Sequence, residues 1–447
     1  MSADNSPGAT DARRRYLRFR LSVLLIVLAA GLLAVSVAAL VPSSPAVVAN
    51  GPAGGSSALD RSIRTAQAKL AKREQDPRTW AELGAAYVEA ARANADPTYY
   101  PKAEEALRKS LAQQPDGNGT ALSGMGALAN ARHDFAAARD WGERAKAVLP
   151  DNAEVYGVLT DAYTQLGDTE AATTALQRML NLKPGVSSFT RAAYEFELHG
   201  RVEDARHALD RALADAVDPG DVVFCRHLLG ELALDNGDVD TAERNFEAGL
   251  VAVPDAAPLL QGRAMVAAAR GQTEEALAGF QDLVSRQPNL GNLQEYALLL
   301  TSTGDTELAA RQYAVIERQQ KVDADSGANI DLEASLVAVD RGNVVQALHL
   351  AQAEWARRQP VFVADAVAWA LHLNGRDAEA LTYTGHAART GWRNAKFLYH
   401  RGMILAGLGR NAEAVTAITE ALHVNPNFSA VEAKAARTAL ANLGGVQ

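Results

Sequence analysis

A single stretch of 32 residues in the first half of the chain shows how the protein folds. Residues 153–184 read AEVYGVLTDAYTQLGDTEAATTALQRMLNLKP. Apolar residues recur at helical spacing on both sides of Gly167, and Pro184 closes the unit. Glycine ends a helix readily because it adopts the left-handed conformation without a Cβ penalty, and proline cannot continue a helix. The stretch therefore predicts two α-helices joined by a tight turn.

The same unit recurs along most of the chain. Its closing prolines lie 34 or 35 residues apart, at Pro115, Pro150, Pro184, Pro219, Pro254 and Pro288. Turn residues between them repeat every 33 to 38 residues, at His133, Gly167, Gly200, Gly237, Gly271, Gly304, Gly342, Gly375 and Gly409. An alanine follows each turn after five residues, at Ala138, Ala172, Ala205, Ala242, Ala276, Ala309, Ala347, Ala380 and Ala414. Two independent markers with one spacing predict stacked helix-turn-helix repeats, in which the alanine lets paired helices approach closely.

These features resemble the tetratricopeptide repeat (TPR) family. The W-x-x-L-G-x-x-Y spacing of that family occurs at Trp80, Leu83, Gly84 and Tyr87. The resemblance implies an all-α, right-handed α-α superhelical solenoid of about ten helix pairs over residues 78–426, with irregular units near 290–325 and 327–392. An amphipathic helix is predicted to lead into it over residues 59–77. A capping helix and tail, residues 427–447, are predicted to cover its open end.

The N-terminal region predicts a membrane anchor. Leu21 to Val41 contains no charged residue, and as a helix it would span roughly 30 Å, the thickness of a bilayer core. Five arginines precede it, at Arg13, Arg14, Arg15, Arg18 and Arg20. This charge asymmetry predicts a cytoplasmic basic tail (1–20), a single transmembrane helix (21–41), a flexible linker (42–58) and repeats outside the cytoplasmic membrane. The alternative is a cleaved secretory signal that ends near Ala49.

Composition and motifs restrict the function. The net charge of −9 disfavours nucleic acid and anionic lipid surfaces as partners. Cys225 is the only cysteine, which excludes an intrachain disulfide and a cysteine-based metal cluster, and we expect it to be buried. The sequence contains no H-E-x-x-H, Walker or G-x-S-x-G motif. We therefore predict no enzymatic activity and no cofactor.

The resemblance implies that the first helix of each pair lines a concave groove that binds an extended peptide or a partner helix. Carrying the groove-facing positions across predicts a partner-binding set, which is Asp161, Gln165, Tyr194, Glu197, Phe224, His227, Glu231, Asp235, Trp369, His372 and Tyr399. The alternative for each of them is ordinary packing, and Trp369 in particular could belong to the core. Family members that grip a C-terminal carboxylate use Lys, Arg and Asn in this groove. The corresponding places here hold Thr120, Ser123, Glu154, Asp161 and Glu231, which favours a neutral or basic segment instead.

Three functional hypotheses follow. The leading one is a membrane-anchored, non-enzymatic scaffold that binds a protein or peptide outside the cytoplasmic membrane. The heavy use of alanine and arginine in the chain suits a bacterium of high GC content. The second is an accessory subunit of an envelope assembly for secretion, cell-wall synthesis or cytochrome maturation, in which the transmembrane helix itself makes the contact. The third is a periplasmic enzyme with a site between repeats.

Overall fold

A computed structural model describes residues 55–444, which form α-helices and connecting turns without any β-strand. The predicted transmembrane helix at 21–41 lies outside the described residues, as does most of the predicted linker. Among the helices that are described, none combines the length and apolar character needed to span a bilayer.

The described chain consists of 22 helices. They are α1 (Gly55–Leu70), α2 (Pro77–Asn94), α3 (Tyr99–Gln113), α4 (Gly119–Ala131), α5 (Phe135–Val148), α6 (Ala153–Leu166), α7 (Thr169–Leu182), α8 (Val186–Leu198), α9 (Val202–Asp215), α10 (Pro219–Asp235), α11 (Val239–Ala252), α12 (Ala257–Ala269), α13 (Thr273–Arg286), α14 (Leu290–Thr303), α15 (Thr306–Asp325), α16 (Asp331–Asp340), α17 (Val344–Arg357), α18 (Val361–Leu373), α19 (Asp377–Ala387), α20 (Ala395–Gly407), α21 (Asn411–Val424) and α22 (Glu432–Asn442). Helices α2 to α21 form ten consecutive pairs, with α1 before the first pair and α22 after the last.

The repeated turns and alanines have the predicted roles. All nine turn residues adopt the left-handed conformation, with φ between 57° at His133 and 90° at Gly304. All nine alanines are buried, and none is more than 2% exposed. A larger side chain at these alanine positions would hold the two helices of a pair apart. The sequence prediction of close-packed helix pairs is therefore confirmed.

Helix lengths depart from the repeat in the C-terminal half. Helix α15 has 20 residues, whereas most second helices of the pairs have 14. Helix α19 has only 11 residues and is followed by a seven-residue connector, 388–394. These irregular units fall in the region where the sequence markers are weakest, and their connectors reach the N-terminal half of the chain.

The C-terminal half stacks on the N-terminal half along a line of contacts that we call the seam. On one side of the seam lie the turns inside the second to sixth pairs, at 132–133, 165–167, 199–200, 234–237 and 269. On the other side lie the connectors that follow the seventh to tenth pairs, at 326–330, 358–360, 388–394 and 425–427. At three places along the seam the contacting residues are separated by 196, 193 and 191 positions. Over the whole seam the separations range from 158 to 222 positions and centre on the length of between five and six pairs, so the chain winds back onto itself after that number.

Five hydrogen bonds across the seam end on carbonyl groups at the C-termini of first helices. The bonds run from Asn329 N–H to Arg132 O (2.8 Å), from Gln359 N–H to Leu166 O (3.5 Å), from Arg389 Nη2 to Gly167 O (3.2 Å), from Asn425 Nδ2 to Leu234 O (2.9 Å) and from Asn427 Nδ2 to Ala269 O (2.9 Å). The last carbonyl groups of a helix have no partner within that helix and accept donors from elsewhere. In this protein the second turn of the superhelix supplies those donors.

Two aromatic contacts reinforce the seam. The guanidinium of Arg358 lies 4.7 Å from the ring of Phe135 and 5.2 Å from the ring of Phe362. The rings of Trp392 and Tyr194 meet edge to face, with 6.4 Å between their centroids. Side chains as well as backbone groups therefore hold the two halves together.

Candidate functional site

The candidate site is the inner surface of the superhelix, which we define as the side chains that the first helices of the pairs direct toward one another. Charged side chains on helices far apart in the chain shift one another's pKa values, which places them around the same space. Asp235 on α10 acts on Glu197 of α8 and on Glu295 of α14. Lys396 on α20 acts in turn on Glu295 and on Asp340 of α16. These helices belong to pairs four to ten, so their side chains share one interior.

Five carboxylates of the inner surface have no Lys or Arg within ion-pair distance among residues 55–444. They are Glu197, Glu231, Asp235, Glu295 and Asp340. Glu231 lies beside the imidazole of His227, at 3.2 Å. Asp340 accepts a hydrogen bond from Gln294 Nε2 at 2.8 Å. The inner surface therefore carries an excess of negative charge.

Burial raises the pKa of these carboxyl groups. Burial, together with Asp235 and Glu231, raises the pKa of Glu197 to about 8. Burial raises the pKa of Glu231 to about 7. Desolvation by the surrounding side chains and repulsion by Glu231 also raise the pKa of Asp235. The side chain of Asp235 is exposed to solvent, and water weakens this shift. Near neutral pH these groups are only partly ionised.

Glu295 and Asp340 complete the acidic surface. Burial raises the pKa of Glu295 to about 7 against the attraction of Lys396. Burial also raises the pKa of Asp340 to about 6, and Lys396 again opposes the shift. Lys396 itself contacts Glu432, with 3.4 Å between Nζ and Oε2. Lys396 therefore attracts Glu295 and Asp340 from a distance, while its ion pair is made with Glu432.

Two of the predicted groove residues are bound within the protein. Asp161 accepts two hydrogen bonds from the guanidinium of Arg191, both 2.7 Å long. The side chain of Gln165 is buried and accepts a hydrogen bond from Arg358 across the seam. Neither side chain is free for a partner in this conformation.

Tyr194 and Phe224 make packing contacts. Tyr194 lies against Trp392, and the indole of Trp392 also lies close enough to Glu197 to lower the pKa of that carboxyl in part. Phe224 packs on the core between the fourth and fifth pairs, against Phe196 and its neighbours. Both residues are only partly buried.

His227 is buried and neutral. Its side chain is 4% exposed, and burial lowers its pKa to about 4. Its Nδ1 atom has no hydrogen-bond partner within the described chain. Cys225, two residues earlier, is buried as predicted, and burial raises the pKa of its thiol to about 12.

Trp369, His372 and Tyr399 lie in a stack between the ninth and tenth pairs. The ring of Trp369 is sandwiched between the rings of His400, at 4.1 Å, and His372, at 4.9 Å. His372 Nδ1 lies 2.5 Å from an oxygen of Asp377. Trp369 and Tyr399 are buried, at 8% and 4% exposure. Packing accounts for these three side chains, and partner binding by them stays a prediction.

A buried chain of charges lies beside this stack. His400 Nδ1 is 2.8 Å from Asp365, and its Nε2 is 3.3 Å from Glu432. Burial disfavours the imidazolium, but the two carboxylates outweigh it and raise the pKa of His400. Burial opposes ionisation of Glu432 as well, yet Lys396 and His400 lower its pKa to about 2. This network joins α18, α20 and α22 and is a structural element of the C-terminal end.

Glu295 and Asp340 are the inner-surface acids that the sequence prediction missed. Both lie in the irregular units, where the aromatic and proline markers are absent. Asp340 lies two residues before Gly342, as Asp235 lies two residues before Gly237. Counting backward from the turn glycine, instead of forward from the proline, would have identified it.

No group of three or more His, Cys, Asp and Glu side chains in residues 55–444 has the arrangement of a metal site.

The similarity of this chain to known proteins lies in its repeat. Residues 395–428, which contain the tenth pair, match the family model described as Tetratricopeptide repeat. No curated protein matches this sequence.

Solved structures with a similar arrangement of helices include three TPR proteins or relatives. A thermophilic TPR protein of Thermus thermophilus is 21% identical, with a TM-score of 0.36 over 41% of this chain and 95% of that chain. A tetratricopeptide repeat protein of Parabacteroides merdae is 17% identical, with a TM-score of 0.35 over 57% and 96%. Yeast Tom70 is 13% identical, with a TM-score of 0.34 over 87% and 93%. These likenesses are too distant to bear on function. The family model matches the tenth pair, and eight of the other nine pairs repeat the left-handed turn and the buried alanine of that pair.

Proposed function

We propose that this protein is a non-enzymatic scaffold that binds a basic or neutral segment of a protein partner on its inner surface. The observation that supports the proposal is the set of five inner-surface carboxylates without a Lys or Arg partner. Repeats of this type are typical of protein-interaction modules. A segment carrying Lys or Arg would supply the cations that the surface lacks.

Charge repulsion gives this proposal a physical basis. Carboxylates that face one another in a confined space favour the protonated form, which raises their pKa. A bound cation favours the ionised form, so binding releases protons. The affinity for a basic segment should therefore increase between about pH 6 and about pH 8, the range in which Glu197, Glu231 and Glu295 ionise.

The test uses fluorescein-labelled peptides of equal length with basic, neutral or acidic side chains and the full chain in detergent. Fluorescence anisotropy at low salt should show the basic peptide binding at least tenfold more tightly than the acidic one, with an affinity that falls as salt is added. The triple variant Glu197→Gln, Glu231→Gln, Asp235→Asn should lose most of that preference. A matched control, Glu274→Gln with Glu275→Gln, removes two exposed carboxylates of α13 and should leave binding unchanged. Equal affinity for basic and acidic peptides would contradict the proposal.

We also propose that residues 21–41 anchor the scaffold, with the repeats outside the cytoplasmic membrane. Their uncharged sequence and the arginines before them support this orientation. Protease added to intact cells or spheroplasts should digest the repeats and spare the N-terminal tail. Replacement of 21–41 by an unrelated transmembrane helix should preserve the function of a scaffold, whereas an accessory subunit that makes contact through this helix would lose it.

A second candidate function is catalysis by the same carboxylates, because a carboxyl group with a pKa near neutral suits general acid or base chemistry. Mass spectrometry of peptides recovered after prolonged incubation separates the two functions. A scaffold returns the peptide intact, and an enzyme returns a modified or cleaved product whose formation stops in Glu231→Gln.

A further inference from the structure

A pocket lies between α19, α20 and α21, apart from the inner-surface carboxylates. Helix α19, which contributes Thr384 and Ala387 to the pocket wall, ends at Ala387, three residues short of the 14-residue second helices. The pocket has a volume of about 310 Å³. This volume lies at the lower end of the range of small-molecule sites.

Aromatic and aliphatic side chains form much of the pocket wall. Trp392 and Phe397 meet edge to face there, with ring centroids 5.2 Å apart. Leu398 and Leu405 extend the apolar wall. On the opposite side, the exposed Thr416 of α21 lines the mouth, so the pocket is accessible from solvent.

Each carboxylate in the pocket wall already has a cationic or imidazole partner. Asp365 lies 2.8 Å from His400, Glu413 lies 2.6 Å from Arg410, and Glu420 lies 3.7 Å from Arg393. Their charges are therefore compensated within the protein.

Arg401, the positively charged residue of the pocket wall, differs from these carboxylates. Its guanidinium lines the pocket and is half-buried, yet it makes no hydrogen bond or ion pair with any residue between 55 and 444. Its charge acts on Glu413 only from a distance, since Arg410 holds that carboxylate. A guanidinium offers five N–H donors in a planar fork that matches a carboxylate. A half-buried cation with unused donors beside an apolar wall has the chemistry of an anion site.

We propose that this pocket binds a carboxylate attached to a small apolar body. The carboxylate pairs with Arg401, and the apolar body lies against Trp392 and Phe397. Two sources share this chemistry: a free small acid, and the C-terminal carboxylate of a peptide that ends in an apolar residue. The site is separate from the acidic inner surface, whose ligand carries the opposite charge.

Isothermal titration calorimetry with the full chain tests the proposal, with 4-phenylbutyrate as the probe and 4-phenylbutyramide as its uncharged match. The acid should bind at least tenfold more tightly than the amide, because a hydrogen bond between charged groups is roughly twice as strong as a neutral one. Fluorescence of Trp392 should change on binding. A second pair of ligands, acetyl-Ala-Ala-Phe acid and its amide, distinguishes the two sources of the carboxylate. If 4-phenylbutyrate binds more tightly than the peptide acid, the ligand is a free small acid. If the peptide acid binds more tightly, the ligand is a peptide C-terminus.

Variants assign the effect to Arg401. Arg401→Gln should reduce the affinity of the acid to that of the amide, and Arg401→Lys should retain part of it. The matched control Arg376→Gln removes a guanidinium that is 42% exposed and paired with Glu379, a carboxylate outside the pocket wall, and should leave the affinity within twofold. Thr416→Trp, which fills the mouth of the pocket, should abolish binding of both ligands. Equal affinity for acid and amide in both series, undiminished binding to Arg401→Gln, or no binding of any of the four ligands would overturn the proposal.

Discussion

The side-chain amide of Asn425 donates a hydrogen bond to the backbone carbonyl of Leu234, 2.9 Å away in space and 191 positions earlier in the chain. Asn425 is 5% exposed, so the bond is shielded from water. The carbonyl belongs to the last turn of α10, and it also accepts a hydrogen bond from the backbone N–H of Gly237, 3.0 Å away. One turn of the superhelix thus completes the hydrogen bonding of another.

Removal of this donor should destabilise the folded chain. Asn425→Ala removes one of the two donors to the Leu234 carbonyl, and the loss of this buried hydrogen bond costs about 0.5–1.5 kcal/mol in the free energy of unfolding. Urea unfolding followed by circular dichroism measures the change. The control Asn411→Ala alters an exposed asparagine on α21 and should shift stability by no more than about 0.5 kcal/mol. Equal effects of the two substitutions would show that the seam bond contributes nothing.

Substitution of two turn glycines distinguishes the effect of the seam from the effect of local backbone strain, because both have the same left-handed conformation and only one of them lies at the seam. Gly200 has φ of 67° and Gly375 has φ of 72°. A Cβ on Gly200 would lie 2.5 Å from the carbonyl oxygen of Gly391 across the seam, whereas one on Gly375 would have no atom within 4 Å. Gly375→Ala should therefore cost only the left-handed penalty of about 1–2 kcal/mol. Gly200→Ala should cost about 1–3 kcal/mol more, because the seam must move apart.

Hydrogen exchange locates that movement. In Gly200→Ala, backbone amides of the connector 388–394 should exchange faster than in the unsubstituted chain, and in Gly375→Ala they should not. Similar stability and similar exchange in both variants would mean that the seam is not closed in solution.

Arg358 should matter far more than its neighbour Arg357, although both bind Glu354. Arg358 is 5% exposed and contacts Phe135, Phe362 and Gln165. Arg358→Gln removes a buried cation from a buried carboxylate and should cost about 3–5 kcal/mol, measured by chemical unfolding.

The control for this prediction is Arg357→Gln. The side chain of Arg357 is 46% exposed, so its ion pair with Glu354 should contribute at most about 1 kcal/mol. If the two substitutions lower the free energy of unfolding by the same amount, burial in the seam does not explain the contribution of Arg358 to stability.

The inner-surface carboxylates should make the fold less stable at alkaline pH. Their pKa values, about 8 for Glu197 and about 7 for Glu231 and Glu295, exceed the ordinary value of 4.5. The folded state therefore binds more protons than the unfolded state. The stability from these protons is present in full below about pH 4.5, declines as the pH rises, and is lost above the folded-state pKa values of about 7 to 8. The midpoint of urea unfolding should fall between about pH 6.5 and about pH 8.5.

The double variant Glu231→Gln, Glu295→Gln should show a smaller fall, since fewer groups ionise. Glu432, with its pKa near 2, titrates outside this range and does not contribute. A midpoint that rises with pH, or the same fall in the double variant, would contradict the assignment.

The repeat was predictable from the sequence because its signals are local. A left-handed turn needs glycine or a tolerant residue, and a close helix contact needs alanine, so Gly167 and Ala172 mark their positions by residue type alone. The resemblance to the tetratricopeptide family implied that the first helices line a groove and placed Glu197, Glu231 and Asp235 in it, and their role in partner binding stays a prediction. Glu295 and Asp340 were missed because the proline and aromatic markers fail in their units.

Only the tertiary structure showed that the superhelix closes on itself. Closure depends on the small rotation between successive pairs, which is summed over between five and six of them, and no residue pattern within one pair records that sum. The same holds for the contacts of Arg358 and Trp392, whose partners lie nearly 200 residues away. The sequence by itself determined the helix pair and its repetition, because both depend on neighbours within about 34 residues. The seam, the shared acidic interior and the pocket beside Arg401 were decided by the tertiary structure, because each arises from side chains that only the winding of the chain brings together.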